Sequence, residues 1–178
     1  MGARAWSTRE AWLAEQGGVE RIDTVMTATI LCAGITGVSD DRAWELREAM
    51  REVAPVAALE AIYGITDERA WSWRRRDLLR APKTVMRTLD GLDDARAWEL
   101  RAQVAMDSEE ALDSMVGLDS ASAWKLREAT IDVWPSTTVK SLGALGATAR
   151  GRAMALAVLA RHPSDVAVWH HVVSVVPH

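Results

Sequence analysis

Gly91-Leu92-Asp93-Asp94-Ala95-Arg96-Ala97-Trp98-Glu99-Leu100-Arg101 is one of four copies of a single phrase in this chain. The others begin at Gly37, Gly64 and Gly117, and the tryptophans of the four, Trp44, Trp71, Trp98 and Trp124, stand 27, 27 and 26 residues apart. Self-similarity at such a period marks a stacked array, because a unit this small cannot bury its apolar face without a neighbour. The expected fold is all-α: a short α-solenoid of stacked helical hairpins, built like HEAT or armadillo repeats but with a unit of about 27 residues.

Working outward from the phrase, each copy reads as two helices. Pro55 suits the first turn of a helix, where its missing N–H would have no partner anyway. Ala58, Leu59 and Ile62 follow on one helical face. Gly64 then stops the helix, since glycine tolerates the left-handed conformation there. Thr66 is the expected N-cap of the second helix, with Asp67 and Glu68 at the positive end of its dipole. The same grammar places caps at Ser39, Asp93 and Asp119. The apolar residue before each cap (Val38, Ile65, Leu92, Leu118) is expected to staple onto the alanine at N4. Pro82, Ser108 and Pro135 open further copies, and the phrase decays after Leu142. A second helix of that last copy is expected from about residue 147 to 161, with Ala153, Met154 and Leu156 echoing Ala-Trp-x-Leu.

The chain thus divides as one repeat domain over 1–178. It comprises a partial repeat at 1–18, repeats at 19–54, 55–81, 82–107, 108–134 and 135–162, and a capping helix at 163–178. Val166, Val168, Trp169, Val172, Val173 and Val176 are the residues expected to close the array. Arg4-Ala5-Trp6 to Ala11 matches Arg42-Ala43-Trp44 to Ala49, a second helix without its first, as in a piece of a longer array.

Composition bounds the function. The 178 residues include nine Trp, one Tyr and no Phe, and the net charge is −4. That charge argues against a dedicated nucleic-acid binder. Cys32 is the lone cysteine, so no internal disulfide forms and a reducing, cytoplasmic setting is expected. The start of the chain lacks the apolar core of a secretion signal, and no apolar run is long enough to span a bilayer, so no membrane partner is expected.

The chemistry-bearing candidates begin with a ladder. Trp44, Trp71, Trp98 and Trp124 are each followed three residues later by Arg47, Arg74, Arg101 and Arg127, a spacing that permits cation–π contact. Exposed, these eight residues would form an interaction surface, and the arginine row would bind phosphates, a nucleic acid or an acidic partner. The competing and favoured reading is that Trp fills the joint between repeats while Arg covers it and pairs with acids such as Asp40 or Asp67. Asp40-Asp41 and Asp67-Glu68 read as helix-start residues rather than catalytic pairs. His162, His170, His171 and His178 lack the i, i+4 spacing of a helical metal pair. Cys32 sits at a core position. Arg74-Arg75-Arg76 fan around a helix, with Arg80 and Lys83 beyond. Leu142-Gly143-Ala144-Leu145-Gly146 has no lysine and no preceding strand, so it is not a phosphate loop. No catalytic, metal or cofactor site is expected.

Three stretches carry a family resemblance: Ala81-Pro82-Lys83-Thr84-Val85, the phrase at 91–101, and Trp134-Pro135-Ser136-Thr137-Thr138-Val139-Lys140. Over about Ala28 to His171 the chain resembles the helical repeats at the C-terminal end of large actinobacterial thymidylate kinase (dTMP kinase) proteins. The resemblance implies an accessory, non-catalytic scaffold that contacts another protein or domain. Phosphoryl transfer from ATP to dTMP would then reside in an absent upstream domain, since no P-loop occurs here.

Overall fold

The computed structural model describes Ala11 and residues 25–176; the half-repeat around Trp6 and Arg9, and His178, lie outside them. Every regular element among the described residues is helical. They divide into two compact units, one ending at Thr88 and the other beginning at Leu89, a boundary that falls inside the repeat expected at 82–107.

The first unit holds α1 (Val25–Gly34), α2 (Asp41–Met50), α3 (Pro55–Glu60), α4 (Glu68–Asp77) and α5 (Pro82–Arg87). Helix α3 packs on α1 and on α5, while α2 and α4 pair with the helices beside them in sequence. Trp44, Trp71, Ile35, Ile62 and Met86 are among its fully buried side chains. The second unit holds α6 (Ala95–Val104), α7 (Glu110–Asp113), α8 (Ala121–Thr130), α9 (Pro135–Lys140), a 3-10 turn (Gly143–Ala147), α10 (Ala149–Arg161) and α11 (Val166–Val175). Trp124, Val139, Leu142, Val158, Val168 and Val172 make its main core.

The first helix of each hairpin is shorter than the apolar spacing suggests. After Glu60 the α-helical ladder tightens: Ile62 N–H donates to Leu59 and Tyr63 N–H to Glu60, three residues back. The glycine stop then follows as expected. Gly37, Gly64, Gly91 and Gly117 all have φ between 73 and 76°, a region closed to side chains with a Cβ.

The N-caps lie one residue later than the sequence reading put them. Asp40, Asp67, Asp94 and Ser120 are the caps, each accepting from the backbone N–H three residues on. Ser39, Thr66, Asp93 and Asp119 precede them in the turn. Moving the cap makes the tryptophan, not the alanine, the N4 residue, and puts Ser39, Thr66, Asp93 and Asp119 at N′, so the register of the staple is not the one expected.

The last hairpin also departs from expectation. Thr148 caps α10 by accepting from Gly151 N–H, as Ser120 does from Ala123 N–H in α8. Gly151, Arg152, Met154 and Ala155 therefore occupy the Ala, Trp, Leu and Arg positions, two residues ahead of the expected echo. Accordingly Ala155 is buried and Leu156 is exposed. The final helix starts at Val166 under an Asp165 cap. Only Val168 and Val172 of the expected closing residues are fully buried, whereas Val166, Trp169 and Val173 face outward.

Candidate functional site

The four repeated arginines do not lie on a surface. Arg47, Arg74, Arg101 and Arg127 are all 0 % exposed, and this corrects the expected interaction surface of Arg47, Arg74, Arg101, Arg127, Trp44, Trp71, Trp98 and Trp124. Trp44, Trp71 and Trp124 are buried with them, and Trp98 is half-buried. Each guanidinium lies against the ring of its own tryptophan, 4.9, 4.6, 4.5 and 5.0 Å from the centroid in chain order.

The arginines are also not paired mainly with acids, as the favoured reading had it. Arg101 shows the pattern: Nη1 donates to Leu92 O (2.8 Å), and Nη2 to Leu89 O (2.8 Å) and Ser114 O (2.9 Å). Nε donates to Ser114 Oγ at 2.9 Å. Arg74 makes the same set to Ile65 O, Ile62 O, Thr88 O and Thr88 Oγ1. Arg127 repeats it with Leu118 O, Met115 O, Ser141 O and Ser141 Oγ. Arg47 reaches Ile35 O, Val38 O and Ala61 O.

One side chain therefore gathers carbonyls from the end of its own first helix, from the turn, and from the end of the next repeat's first helix. These carbonyls lie past the i+4 ladder; those of Ile35, Ile62, Leu89 and Met115 accept one N–H three residues on and keep a lone pair for the cation, which the negative end of the helix dipole favours. A planar fork with five donors can bridge them, and an ammonium cannot. Burial lowers Arg47, Arg101 and Arg127 to about 10, with nearby thiol or carboxyl groups opposing the shift, so all three stay charged at neutral pH. Arg47 differs: Nη2 alone takes all three carbonyls, and Nη1 has no hydrogen-bond partner. Its Nε has no hydrogen-bond partner, because Ala61 stands where the other repeats carry the hydroxyls of Thr88, Ser114 and Ser141.

The acids of the phrase serve the same frame. The indole N–H groups of Trp98 and Trp124 donate to Asp93 and Asp119 at 2.7 Å, and that of Trp44 reaches Asp67 in the next repeat at 3.1 Å. Asp41 pairs with Arg69, and Glu68 with Arg75. His170 and His171 stack edge-on at 5.4 Å, and burial, ahead of the neighbouring charges, lowers His171. Among the described residues no three His, Cys, Asp or Glu side chains group as a metal site.

Cys32 is buried, and that burial raises its thiol from 9.0 to about 11 against the opposing pull of Arg47. The folded state therefore keeps a proton that the unfolded chain releases. Stability from this group is complete below pH 9 and lost as pH rises through about 11. Denaturant titrations of wild type and Cys32→Ala between pH 8 and 12 are expected to show wild type losing up to about 2–3 kcal/mol relative to the variant.

Two features escaped the sequence reading. Along α11, Val166, Trp169 and Val173 form an exposed apolar stripe at i, i+3, i+7. In the first unit, Arg51, Trp73 and Asp77 meet at the joint between two hairpins, with Arg51 Nη2 3.4 Å from Asp77 Oδ2. The signal for the latter was present: all three break the pattern of the aligned copies. No protein-family model, curated protein or solved structure matches the chain.

Proposed function

We propose that this chain is a short α-solenoid serving as a non-catalytic interaction scaffold, held against a partner protein or a partner domain. The observation that supports it best is the use made of the repeated phrase. Its arginines donate to carbonyls of two successive first helices, with the tryptophan rings against them, as stacking along a one-dimensional array requires. The anion-binding alternative needed the arginine row exposed and unpaired, and those side chains are buried against carbonyls. In the setting implied by the resemblance to thymidylate kinase repeats, the partner would be an α/β catalytic domain of the same polypeptide.

The stripe of Val166, Trp169 and Val173 favours contact of this array with something further. Isolated apolar side chains on a surface are ordinary, but a helical row of them marks a contact face. The test has two parts. The purified chain with ATP, Mg²⁺ and dTMP is expected to form no ADP above the blank, and sustained turnover would overturn the non-catalytic reading. A tagged chain and its Trp169→Asp/Val173→Asp variant, compared in the same pull-down, are expected to differ by loss of the bound partner. Identical capture by both would remove this face from the proposal.

A further inference from the structure

We propose that the joint between α2, α3 and α4 is a binding pocket for an amphiphilic carboxylate, an apolar body ending in –COO⁻. The repeats supply the comparison that carries this. At the position of Arg51 the other copies have Leu78, Ala105 and Ile131, all buried. At the position of Asp77 they have Met50, Val104 and Thr130, and at that of Trp73 they have Leu46, Leu100 and Leu126. Stacking alone asks for small or apolar residues at all three places. Arg51 and Asp77 break the rule, and Trp73 puts an aromatic ring where the other copies have leucine; breaks of local pattern concentrate at functional sites.

A cavity of about 520 Å³ lies at the joint, within the range of small-molecule sites. Val56, Leu59 and Pro55 form an apolar wall, opposite the Arg51–Asp77 pair and Trp73. Stability does not account for the pair, since an apolar pair of similar volume is often as stable or more so.

The charges select the ligand. Asp77 takes guanidinium groups from both Arg51 (3.4 Å) and Arg76 (3.3 Å), so its carboxylate is already neutralised. Those same two guanidiniums lie 5.0 and 5.3 Å from the Trp73 ring centroid, so the ring is already flanked by cations. Trp44 meets it edge-on at 5.4 Å. The ring is thereby unsuited to caging another cation. Arg80 also lines the cavity, and its guanidinium makes no hydrogen bond or ion pair among the described residues. Glu52 is the remaining acid of the lining, whose own charged groups (Arg51, Arg80, Glu52 and Asp77) sum to zero; Arg76, on Asp77 from outside the lining, brings the group to +1. An anionic head at Arg80 with an apolar tail on Val56 and Leu59 satisfies both halves of the site.

A free acid and the C-terminus of a peptide share this chemistry, and titration separates them. The probes are 4-phenylbutyrate, its alcohol 4-phenylbutan-1-ol, and acetyl-Gly-Gly-Leu as acid and as amide. Binding is followed by the indole N–H resonance of Trp73 in the full chain, assigned with Trp73→Phe. Both acids are expected to shift it saturably, and the neutral partners to bind at least about tenfold more weakly. The tighter of the two acids identifies the source. Arg80→Gln, at an exposed position, is expected to weaken binding about tenfold without changing the denaturation midpoint. Arg51→Leu/Asp77→Met, which restores the pattern of the other joints, is expected to be at least as stable as wild type and to bind neither acid. Equal binding of acids and neutral partners, no effect of Arg80→Gln, retained binding in the double variant, or no saturable shift at millimolar acid would each overturn the proposal.

Discussion

Arg101→Met is expected to lower stability by about 3–5 kcal/mol, although methionine matches much of the arginine's volume and is far less costly to bury. The loss lies in what the arginine leaves behind. Ser114 O, buried, and Leu92 O, part-buried, lose their donor, while Leu89 O keeps only Leu92 N–H and Ser114 Oγ only its bond to Ala111 O. An orphaned buried acceptor costs about 1–3 kcal/mol, and only part of this is recovered by relaxation. Arg101→Lys should recover little, because one ammonium cannot span carbonyls from three segments. Arg75→Met is the matched control: that side chain is exposed and paired with Glu68, so its loss should stay within about 0.5 kcal/mol. Denaturant midpoints for the three variants check the ordering. The first repeat offers the converse. Ala61→Ser should place a hydroxyl beside the unpartnered Nε of Arg47 and raise stability by up to about 1 kcal/mol. If Arg101→Met proved as harmless as Arg75→Met, the arginines would not be joining the repeats.

How far the sequence could be read depended on whether one residue type had one use. Glycine at 37, 64, 91 and 117 had a single explanation, a left-handed helix stop, and the structure holds all four there. The caps were ambiguous, since Thr66-Asp67 and Asp93-Asp94 each offer two good capping residues in succession. The structure uses the second for the cap, and at residues 66 and 93 uses the first to receive an indole N–H, a division that depends on where the ring lies. The arginine row was harder. Arginine is rarely fully buried, and its acceptors are backbone carbonyls, which look alike in every sequence. One trace was visible: Thr88, Ser114 and Ser141 put a hydroxyl 13 or 14 residues after three of the four buried arginines. The Arg51–Trp73–Asp77 joint was legible only by comparing copies and asking which one disagrees. The outward face of α11 was not legible, because the valines at 166, 168, 172, 173 and 176 fill one continuous arc of about 160° and pattern cannot say which edge of it is covered.

Gly151→Ala is expected to destabilise the chain by about 3 kcal/mol or more, against the sense of both propensity and repeat consensus. Alanine fills the equivalent position in the other hairpins, as Ala43, Ala70, Ala97 and Ala123, and each is fully buried. Within a helix, glycine to alanine ordinarily gains about 0.5–1 kcal/mol. At Gly151 there is no room for the gain. A Cβ there would overlap the carbonyl oxygen of Leu145 and stand 2.5 Å from its carbonyl carbon and 3.0 Å from Gly146 N. These are backbone atoms of the 3-10 turn, so relief requires moving the turn. Gly146 in turn lies against Val175 of α11, where an added Cβ would overlap the Val175 carbonyl oxygen. The last hairpin is thus closed more tightly than the others, and a shift of the turn would be felt at the C-terminal helix. Ala123→Gly is the reciprocal control, expected to cost about 1–2 kcal/mol through propensity and a small cavity. Thermal or urea unfolding of both variants decides the matter. A more stable Gly151→Ala chain would mean that the turn at 143–147 yields freely, and that the close approach of α10 to it is incidental.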